Sequence, residues 1–378
     1  MTITCLFATP DGDAPVRPQD RQQPFLLDPS SGHPVLTLGD YLDALAGLVS
    51  SQQALLAGLL QRQLGLAAAP EVTGLVIRSE KHGACAHIAS LEVICPAGAA
   101  RFCLTTAVAV ADREALAAEA ERLSALRRRG LAFLPRVHAW QEVLAPAAGH
   151  GMPLLVMLGE WLAGFHEWHL ALGPDGRADR LCLWDMEQGH RLLSPAAGDQ
   201  VFRQAARLLT LAYDPVTGCQ ITPWHHAAGD FIVQEAEGRV AVRLITARGY
   251  QPLLEYGQPG EPWAFIPLVS FFLDLMTRIR LDRLDGVGRL VLADRRLLAA
   301  ALDGFLAALA ERGAGATAGQ LVALLAGCQP PELAQLHAPL DALGQEGDPE
   351  EWQLVARGRQ QHLADLAWCL QRAGQGGR

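Results

Sequence analysis

The sequence predicts an α+β fold with two lobes: a small antiparallel β-rich N-terminal lobe and a larger, mostly helical C-terminal lobe, with an extra N-terminal helix. Two changes of pattern along the chain support this prediction. Residues 72–110 are rich in β-branched side chains in alternating order, which is typical of strands. Beyond Trp263, apolar side chains recur almost throughout at helical spacing.

The chain begins with two segments that precede the predicted β-rich lobe. Residues 1–36 are rich in Pro, Asp, Gln and Gly and lack sustained periodicity, so we expect an extended N-terminal arm. Residues 37–70 form a helical segment, in which Thr37 or Asp40 supplies the cap and regularly spaced leucines supply one buried face. We expect this helix to pack on a core.

Residues 71–160 form the predicted N-terminal lobe. The segments VTGLVIRS, HIASLEVIC and ARFCLTTAVAV predict three antiparallel strands. The segment LAAEAERLSALRRRG predicts a helix that ends at Gly130, since apolar residues recur every three to four positions up to that glycine. Two further extended segments, LAFLPRVHAW and MPLLVMLGEWLAG, complete the lobe.

Residues 161–378 form the predicted helical C-terminal lobe. QVFRQAARLLTLAYD is an amphipathic helix that ends at Asp214-Pro215, because proline cannot continue a helix. Two short strands flank a turn at residues 235–238, and the remaining chain is predicted to be helical.

Composition excludes several classes of protein. The 378 residues carry a formal net charge of -9, which argues against a broad nucleic-acid-binding face. The eight cysteines include no C-x-x-C pair, which disfavours a zinc ribbon or a thioredoxin-like centre. No basic leader and no apolar run of about 20 residues occurs. We therefore expect a soluble, cytoplasmic protein without a membrane span, whose partner is a small molecule or a protein.

The order of these segments, over residues 72–310, resembles the protein-kinase-like fold, in its aminoglycoside phosphotransferase and choline kinase branch. The segment LAAEAERLSALRRRGLAFLPRVHAW is similar to a helix and following strand of that branch. The resemblance places Glu119 at the helix carboxylate that pairs with a strand lysine, whereas the alternative is a solvated Glu on a helix face. It places Glu160 and Trp161 at the hinge that contacts the purine of ATP.

The segment from 221 to 250 is similar to the catalytic loop and the strands after it. Aligning ITPWHHAAGDFIV with the family pattern places Pro223 on the family His, His225 on the catalytic Asp and Asp230 on the metal-binding Asn. The second metal-binding Asp falls on Thr246. Phosphoryl transfer uses Mg²⁺ and a carboxylate near the attacking hydroxyl. Here His225 is a candidate general base, and Asp230 is a stronger ligand for Mg²⁺ than asparagine.

The cation that should bind the phosphates is also replaced. The strand expected to carry a lysine reads ARFCLTTAV, which has no cation at that place. The nearest substitute is Lys81 in SEKHGACAH, where Gly83 permits close approach of the backbone and where Lys81, His82 and His87 could face an anion. The alternative is an ordinary hairpin turn. Arg248 is another candidate phosphate ligand, with a salt bridge to a nearby carboxylate as its alternative.

Histidine clusters suggest a further alternative. GFHEWHLAL and WHHAAGD together provide imidazoles and carboxylates that could bind Zn²⁺ or Fe²⁺, although H-E-W-H is one residue short of the zincin motif. Tryptophans in the same region predict either an aromatic ligand site or core packing. The candidate ligands are His166, Glu167, His169, His225, His226 and Asp230.

These residues leave three functional hypotheses. The first is a divergent phosphotransferase-like protein that binds ATP and Mg²⁺ between two lobes, with His225, His226 and Asp230 as catalytic residues. In it Asp230 and Thr246 hold the metal, and Lys81, Gly83, Glu119, Glu160 and Arg248 contact the nucleotide. The second is a catalytically inactive pseudokinase that acts as a binding or scaffold module. The third is a metal-dependent enzyme built on the histidine clusters. Enzymatic activity and substrate stay open.

Overall fold

The computed structural model describes residues 1–9, 12–28, 31–83, 86–147, 151–185, 188–224, 227–255, 262–345 and 348–376. The chain is an α+β protein that divides into two compact units. We call residues 1–125 and 135–163 the sheet unit, and residues 126–134 and 164–378 the helical unit. The sheet unit takes in the segments expected as an arm and a helical segment, and most of the expected β-rich lobe, whose residues 126–134 belong to the helical unit.

A seven-stranded mixed sheet dominates the sheet unit, in the order β2-β1-β5-β6-β7-β9-β8. Strands β1 and β5 are parallel, and the other neighbours are antiparallel. Strands β3 and β4 form a separate pair. The strands are β1 (Thr2–Thr9), β2 (Gly12–Pro15), β3 (Pro24–Asp28), β4 (Ser31–Thr37), β5 (Gly74–His82), β6 (His87–Cys95), β7 (Gly98–Ala107), β8 (Val137–Ala145) and β9 (Met152–Glu160). The helices are α1 (Leu38–Ser51), α2 (Gln53–Leu64) and α3 (Val110–Arg128), the last of which runs into the helical unit.

The N-terminal residues are strands of this sheet unit and not only an arm. Strand β1 lies parallel to β5, with Ile3 opposite Leu75 and Cys5 opposite Ile77. It therefore extends the sheet by pairing with residues about 70 positions later in the chain. Because β2 folds back antiparallel on β1, it covers the edge that β1 would otherwise expose.

The helical segment is two helices, with Gln52 between them. At the start of α1, the Asp40 backbone N–H donates to Thr37 Oγ1 at 3.1 Å, and the Thr37 N–H donates to Asp40 Oδ2 at 3.0 Å. This capping box satisfies two backbone donors at the helix start. Apolar side chains of α1 and α2 form one buried core with the sheet, which includes Tyr41, Leu45, Leu56, Leu60, Leu75, Leu91 and Phe102.

The helical unit contains long helices together with short antiparallel strands. Its helices are α4 (Pro195–Ala212), α5 (Ala227–Asp230), α6 (Phe265–Arg278), α7 (Arg295–Glu311), α8 (Gly315–Gly327), α9 (Pro330–Gln345) and α10 (Pro349–Gly376). Its strands are β10 (Glu167–Ala171), β11 (Arg180–Trp184), β12 (Arg191–Leu192), β13 (Gln220–Ile221), β14 (Phe231–Ala236), β15 (Arg239–Leu244), β16 (Tyr250–Gln251), β17 (Leu281–Arg283) and β18 (Leu290–Leu292). Within the described ranges, each helix of the chain is too short or too polar to cross a membrane.

Helices α4 and α7 pack extensively against each other in the helical unit. Phe272 of α6 packs against Phe305 of α7, and their ring centroids lie 4.9 Å apart. Ser194 caps α4 by accepting a hydrogen bond from the Ala197 N–H at 3.2 Å, and Pro195 occupies the first turn. The expected turn at residues 235–238 joins β14 and β15.

A buried polar network joins the end of α6 to α10. Arg280 is 4 % exposed and donates to His362 Nδ1 at 3.1 Å and to Asp365 at 3.0 Å. Because a guanidinium only donates, His362 accepts at Nδ1 and carries its proton on Nε2, which lies 3.2 Å from Thr277 Oγ1. Burial lowers the pKa of His362 well below its usual value, and the nearby Arg280 and His337 lower it further.

We expect the buried neutral His362 to make stability pH-dependent. The unfolded chain binds a proton at His362 below about pH 6.5, whereas the folded chain does not, so the free energy of unfolding falls as pH drops through this range. Urea unfolding at pH 7.5 and 5.5 measures the loss. We expect it to be about 1 kcal/mol larger in the unmodified protein than in His362→Gln, which keeps a donor and an acceptor but does not titrate. Equal losses in the two proteins would contradict the assignment of His362 as the titrating group.

Candidate functional site

The aligned metal-binding residue, Asp230, lies at the junction of α5 and β14. The pairing of Phe231 with Leu244 brings the residues that flank this hairpin together, and the Ile245 N–H donates to the Asp230 carbonyl at 3.0 Å. Asp230 is 1 % exposed. Its Oδ1 lies 2.7 Å from Nη2 of Arg248, in the loop that follows β15. The two residues are therefore held as an ion pair by the frame of the hairpin.

The ion pair is asymmetric in its exposure. The Asp230 side chain is 2 % exposed, whereas 39 % of the Arg248 side chain is exposed. The buried carboxylate therefore has a cation in direct contact, and the cation is the member that faces solvent. A metal ion bound at Asp230 would be repelled by the Arg248 guanidinium, because like charges a few ångströms apart repel strongly in a partly buried position. Removing either partner would leave the other uncompensated.

Thr246, the aligned position of the second metal-binding residue, is 7 % exposed. A threonine hydroxyl is a neutral oxygen ligand, so this position lacks the carboxylate charge that Mg²⁺ binding uses. Thr246 and Arg248 lie on the same short loop, and the structure brings both of them to the C-terminal end of the hairpin that Asp230 begins. We call Trp224, Asp230, Thr246, Arg248 and Gly249 the Asp230 site.

Backbone contacts hold the two segments of the Asp230 site together. Strand β13 pairs with β16, with Ile221 opposite Tyr250, and the Thr222 N–H donates to the Gly249 carbonyl at 3.2 Å. A Cβ on Gly249 would overlap the Thr222 carbonyl oxygen, so this close approach requires glycine. Trp224 is buried and meets Phe231 edge to face, with centroids 6.5 Å apart. This contact is core packing, as one of the two interpretations of the tryptophans predicts.

An ionic cluster lies beside this frame. Arg129 donates to Asp214 at 2.8 Å and to the Tyr250 hydroxyl at 3.1 Å, and the Tyr250 hydroxyl donates to the Ala212 carbonyl at 2.9 Å. Burial raises the pKa of Tyr250 to about 12, although Arg129 opposes the rise. Tyr250 is thus a neutral donor that anchors β16.

His225 and His226 lie outside the described residues, so their roles as general base and catalytic residue stay predictions. The other two histidines of the proposed clusters each have a carboxylate of their own. His166 Nε2 lies 3.6 Å from Asp185, and His169 Nδ1 lies 3.3 Å from Asp282. Among the residues that the structure describes, no group of three or more His, Cys, Asp or Glu side chains is placed to hold a metal ion.

The remaining predicted residues belong to the sheet unit. Lys81 lies opposite Ile88 near the end of β5 and is exposed, and the Gly83 N–H donates to the Ala86 carbonyl at 2.7 Å, as in a hairpin turn. Glu119 is half-buried on α3. At the end of β9, Glu160 accepts a hydrogen bond from the Arg136 N–H at 3.0 Å.

The proposal that His87 faces an anion is wrong. His87 is 3 % exposed, and its two ring nitrogens lie 2.7 Å from the Tyr41 hydroxyl and 3.0 Å from the Ser79 hydroxyl. Both nitrogens therefore have internal partners, in a network that joins α1 to the sheet. The sequence could not show this because Tyr41 lies 46 residues from His87 and looks like an ordinary core residue.

No protein-family model matches the chain, and no curated protein matches its sequence. The likeness to kinase-like proteins consequently stays a resemblance of motifs. Functional assignment depends on the chemistry of this chain's own residues, above all on the ion pair of Asp230 and Arg248.

Proposed function

We propose that this chain is a divergent protein of the kinase-like fold that binds a nucleotide without a catalytic metal and acts as a binding module. In this proposal, Arg248 supplies the positive charge that Mg²⁺ supplies in a phosphotransferase. The nucleotide phosphates then contact a protein cation directly, and phosphoryl transfer is lost or secondary.

Two features of the fold support the kinase-like part of the proposal. Strands β5, β6 and β7 are consecutive and antiparallel, helix α3 follows them, and β8 and β9 complete that side of the sheet. This is the succession of elements that the motif resemblance implies. In the helical unit, Asp230 directly precedes a β-hairpin, as its alignment with a metal ligand at the end of the catalytic loop implies.

The ion pair of Asp230 and Arg248 is the observation that carries the metal-independent part. Phosphoryl transfer needs a metal that bridges phosphate oxygens and neutralises developing charge. At the aligned position, the carboxylate is already neutralised by a guanidinium at 2.7 Å, and the second aligned ligand is the neutral Thr246. Arginine is well suited to phosphate because its planar fork of donors matches two phosphate oxygens.

A metal-dependent phosphotransferase is the second candidate, and the retained carboxylate of Asp230 favours it. If a nucleotide brought Mg²⁺ with it, Arg248 could move onto a phosphate and free Asp230 for the metal. The two proposals therefore differ in whether nucleotide binding requires a metal ion. The first predicts binding without metal, and the second predicts binding that requires metal and Asp230.

Calorimetric titration with ATP in EDTA, and then in Mg²⁺, distinguishes the two candidates. We expect ATP to bind in EDTA, with a less than about twofold gain from Mg²⁺, and Arg248→Gln to weaken binding about tenfold, or about 1.4 kcal/mol. Arg239→Gln is the matched control, because Arg239 is an exposed arginine on the same hairpin. It should leave binding within about twofold.

The other outcomes have equally definite meanings. Binding that requires Mg²⁺ and disappears in Asp230→Asn would replace the first proposal by the second. Absence of any heat of ATP binding at millimolar concentration, with folding intact by circular dichroism, would contradict both.

A further inference from the structure

The helical unit contains a polar cavity that the Asp230 site does not include. Its volume is about 340 Å³, and it lies where residues 177–178, β18, the start of α7 and α10 meet. Known ligand pockets range from about 300 to 1,000 Å³, so this cavity admits a small molecule. Charged groups dominate the lining, with Arg177, Arg280, Asp294, Arg295 and Asp365 among them.

Arg280 lines the buried part of this cavity. It is 4 % exposed, and its described hydrogen bonds go to the Ala293 carbonyl at 2.8 Å, to His362 Nδ1 at 3.1 Å and to Asp365 Oδ2 at 3.0 Å. A guanidinium has five N–H donors, so these bonds use three of them. Two donors of a buried cation are left without a partner among the described residues. These two donors are therefore available to a ligand or to an ordered water in the cavity.

The two carboxylates of the lining are already compensated by the protein. Asp365 accepts from Arg280 and, at 2.9 Å, from Gln361 Nε2. Asp294 caps α7 by accepting from the Arg296 N–H at 2.9 Å, and Arg177 lies 3.4 Å from it. Neither carboxylate therefore needs a cationic ligand to balance it.

Arg295 supplies a charge that no carboxylate compensates. Its guanidinium carbon lies 4.6 Å from the ring centroid of Trp368, and within the described ranges it makes no ion pair. The indole fixes the side chain by a cation–π contact while leaving its charge intact. As the first residue of α7, Arg295 also adds to the positive end of the helix dipole.

We propose that this cavity binds a small oxyanion, the carboxylate or phosphate group of a compact metabolite, between Arg280 and Arg295. An apolar ligand would leave the two donors of Arg280 without partners, and a cation would be repelled by the arginines. Asp294 and Asp365 limit the charge that the cavity accepts, so it selects a small anion with one or two charges over a polyphosphate. The site is distinct from the proposed nucleotide site.

Isothermal titration of the full chain with inorganic phosphate and, separately, with acetate tests this proposal. We expect saturable binding of at least one probe, and the stronger one identifies the headgroup. Arg295→Gln should weaken it about tenfold. Arg372→Gln is the matched control, because Arg372 stacks on the same indole at 4.7 Å from its centroid but does not line the cavity. It should leave binding within about twofold.

Saturating ATP should not displace the probe, which separates this site from the nucleotide site, whether or not ATP itself binds. The proposal is overturned if neither anion binds saturably at millimolar concentration. It is also overturned if the two arginine variants lose affinity equally, or if ATP competes with the probe.

Discussion

Replacing Gly304 by alanine is expected to destabilise the protein by about 3 kcal/mol, through overpacking of two helices. Gly304 is buried in α7, where that helix crosses α4. A Cβ at this position would lie 2.7 Å from the carbonyl carbon of Arg203 and would overlap the carbonyl oxygen. Because the obstacle is the backbone of α4 and not a flexible side chain, the helices must separate to admit the methyl group.

The sign of this effect distinguishes packing from helix propensity. Inside an unobstructed helix, changing glycine to alanine stabilises by up to about 1 kcal/mol. Gly319→Ala supplies that control, because Gly319 lies in α8 with nothing within 4 Å of its potential Cβ. Midpoints of guanidinium unfolding should therefore move in opposite directions for the two variants. An increase in the midpoint for Gly304→Ala would show that α4 and α7 do not approach each other this closely.

Local signals in the sequence predict the middle of the chain well. The alternating segments from residue 72 correspond to β5, β6 and β7, and the Leu-rich helix that was expected to end at Gly130 corresponds to α3. The predicted turn at residues 235–238 lies between β14 and β15. These elements depend on periodicity and on turn residues, which act within a few positions along the chain.

The N-terminal strands show why other elements could not be predicted. Strand β1, TITCLFAT, is half-exposed along most of its length, so it lacks a strict alternation of apolar and polar residues. It becomes a strand by pairing with β5, more than 60 residues away. The division of residues 37–70 into α1 and α2 has a similar cause. The apolar spacing continues across Gln52, which is neither proline nor glycine, so no local signal marks the break.

In the candidate site, too, local signals identified single residues, whereas the contacts between them depend on the fold. Motif alignment selected Asp230 and Thr246, whereas Arg248 was a separate candidate phosphate ligand with an ion pair as its alternative. Their joint geometry depends on a hairpin that brings residues 230 and 248 within 2.7 Å of each other. Arg280 and Asp365 gave no signal, because each looks like an ordinary polar residue of a surface helix and 85 residues separate them.

Removing the charge of Asp365 is expected to cost about 3 kcal/mol or more, because the partner cation stays buried. The Arg280 and Asp365 side chains are 5 % and 8 % exposed, and they lie 3.0 Å apart. Burial lowers the pKa of Arg280, and Asp365 is the main group that opposes this fall. In Asp365→Asn, the guanidinium keeps a neutral acceptor but loses the only carboxylate that pairs with it among the described residues.

An exposed ion pair with a similar distance between its charged atoms serves as the control for burial. Arg203 and Asp303 lie 2.8 Å apart with side chains 42 % and 56 % exposed, so Asp303→Asn should cost less than about 1 kcal/mol. Urea unfolding at pH 7.5 measures both variants. Adding Arg280→Met to Asp365→Asn should cost less than the sum of the single changes, since the buried charge is then gone. If Asp365→Asn and Asp303→Asn destabilise equally, or if the double variant is additive, Arg280 is not the buried, charge-compensated cation that the structure places at the end of α6.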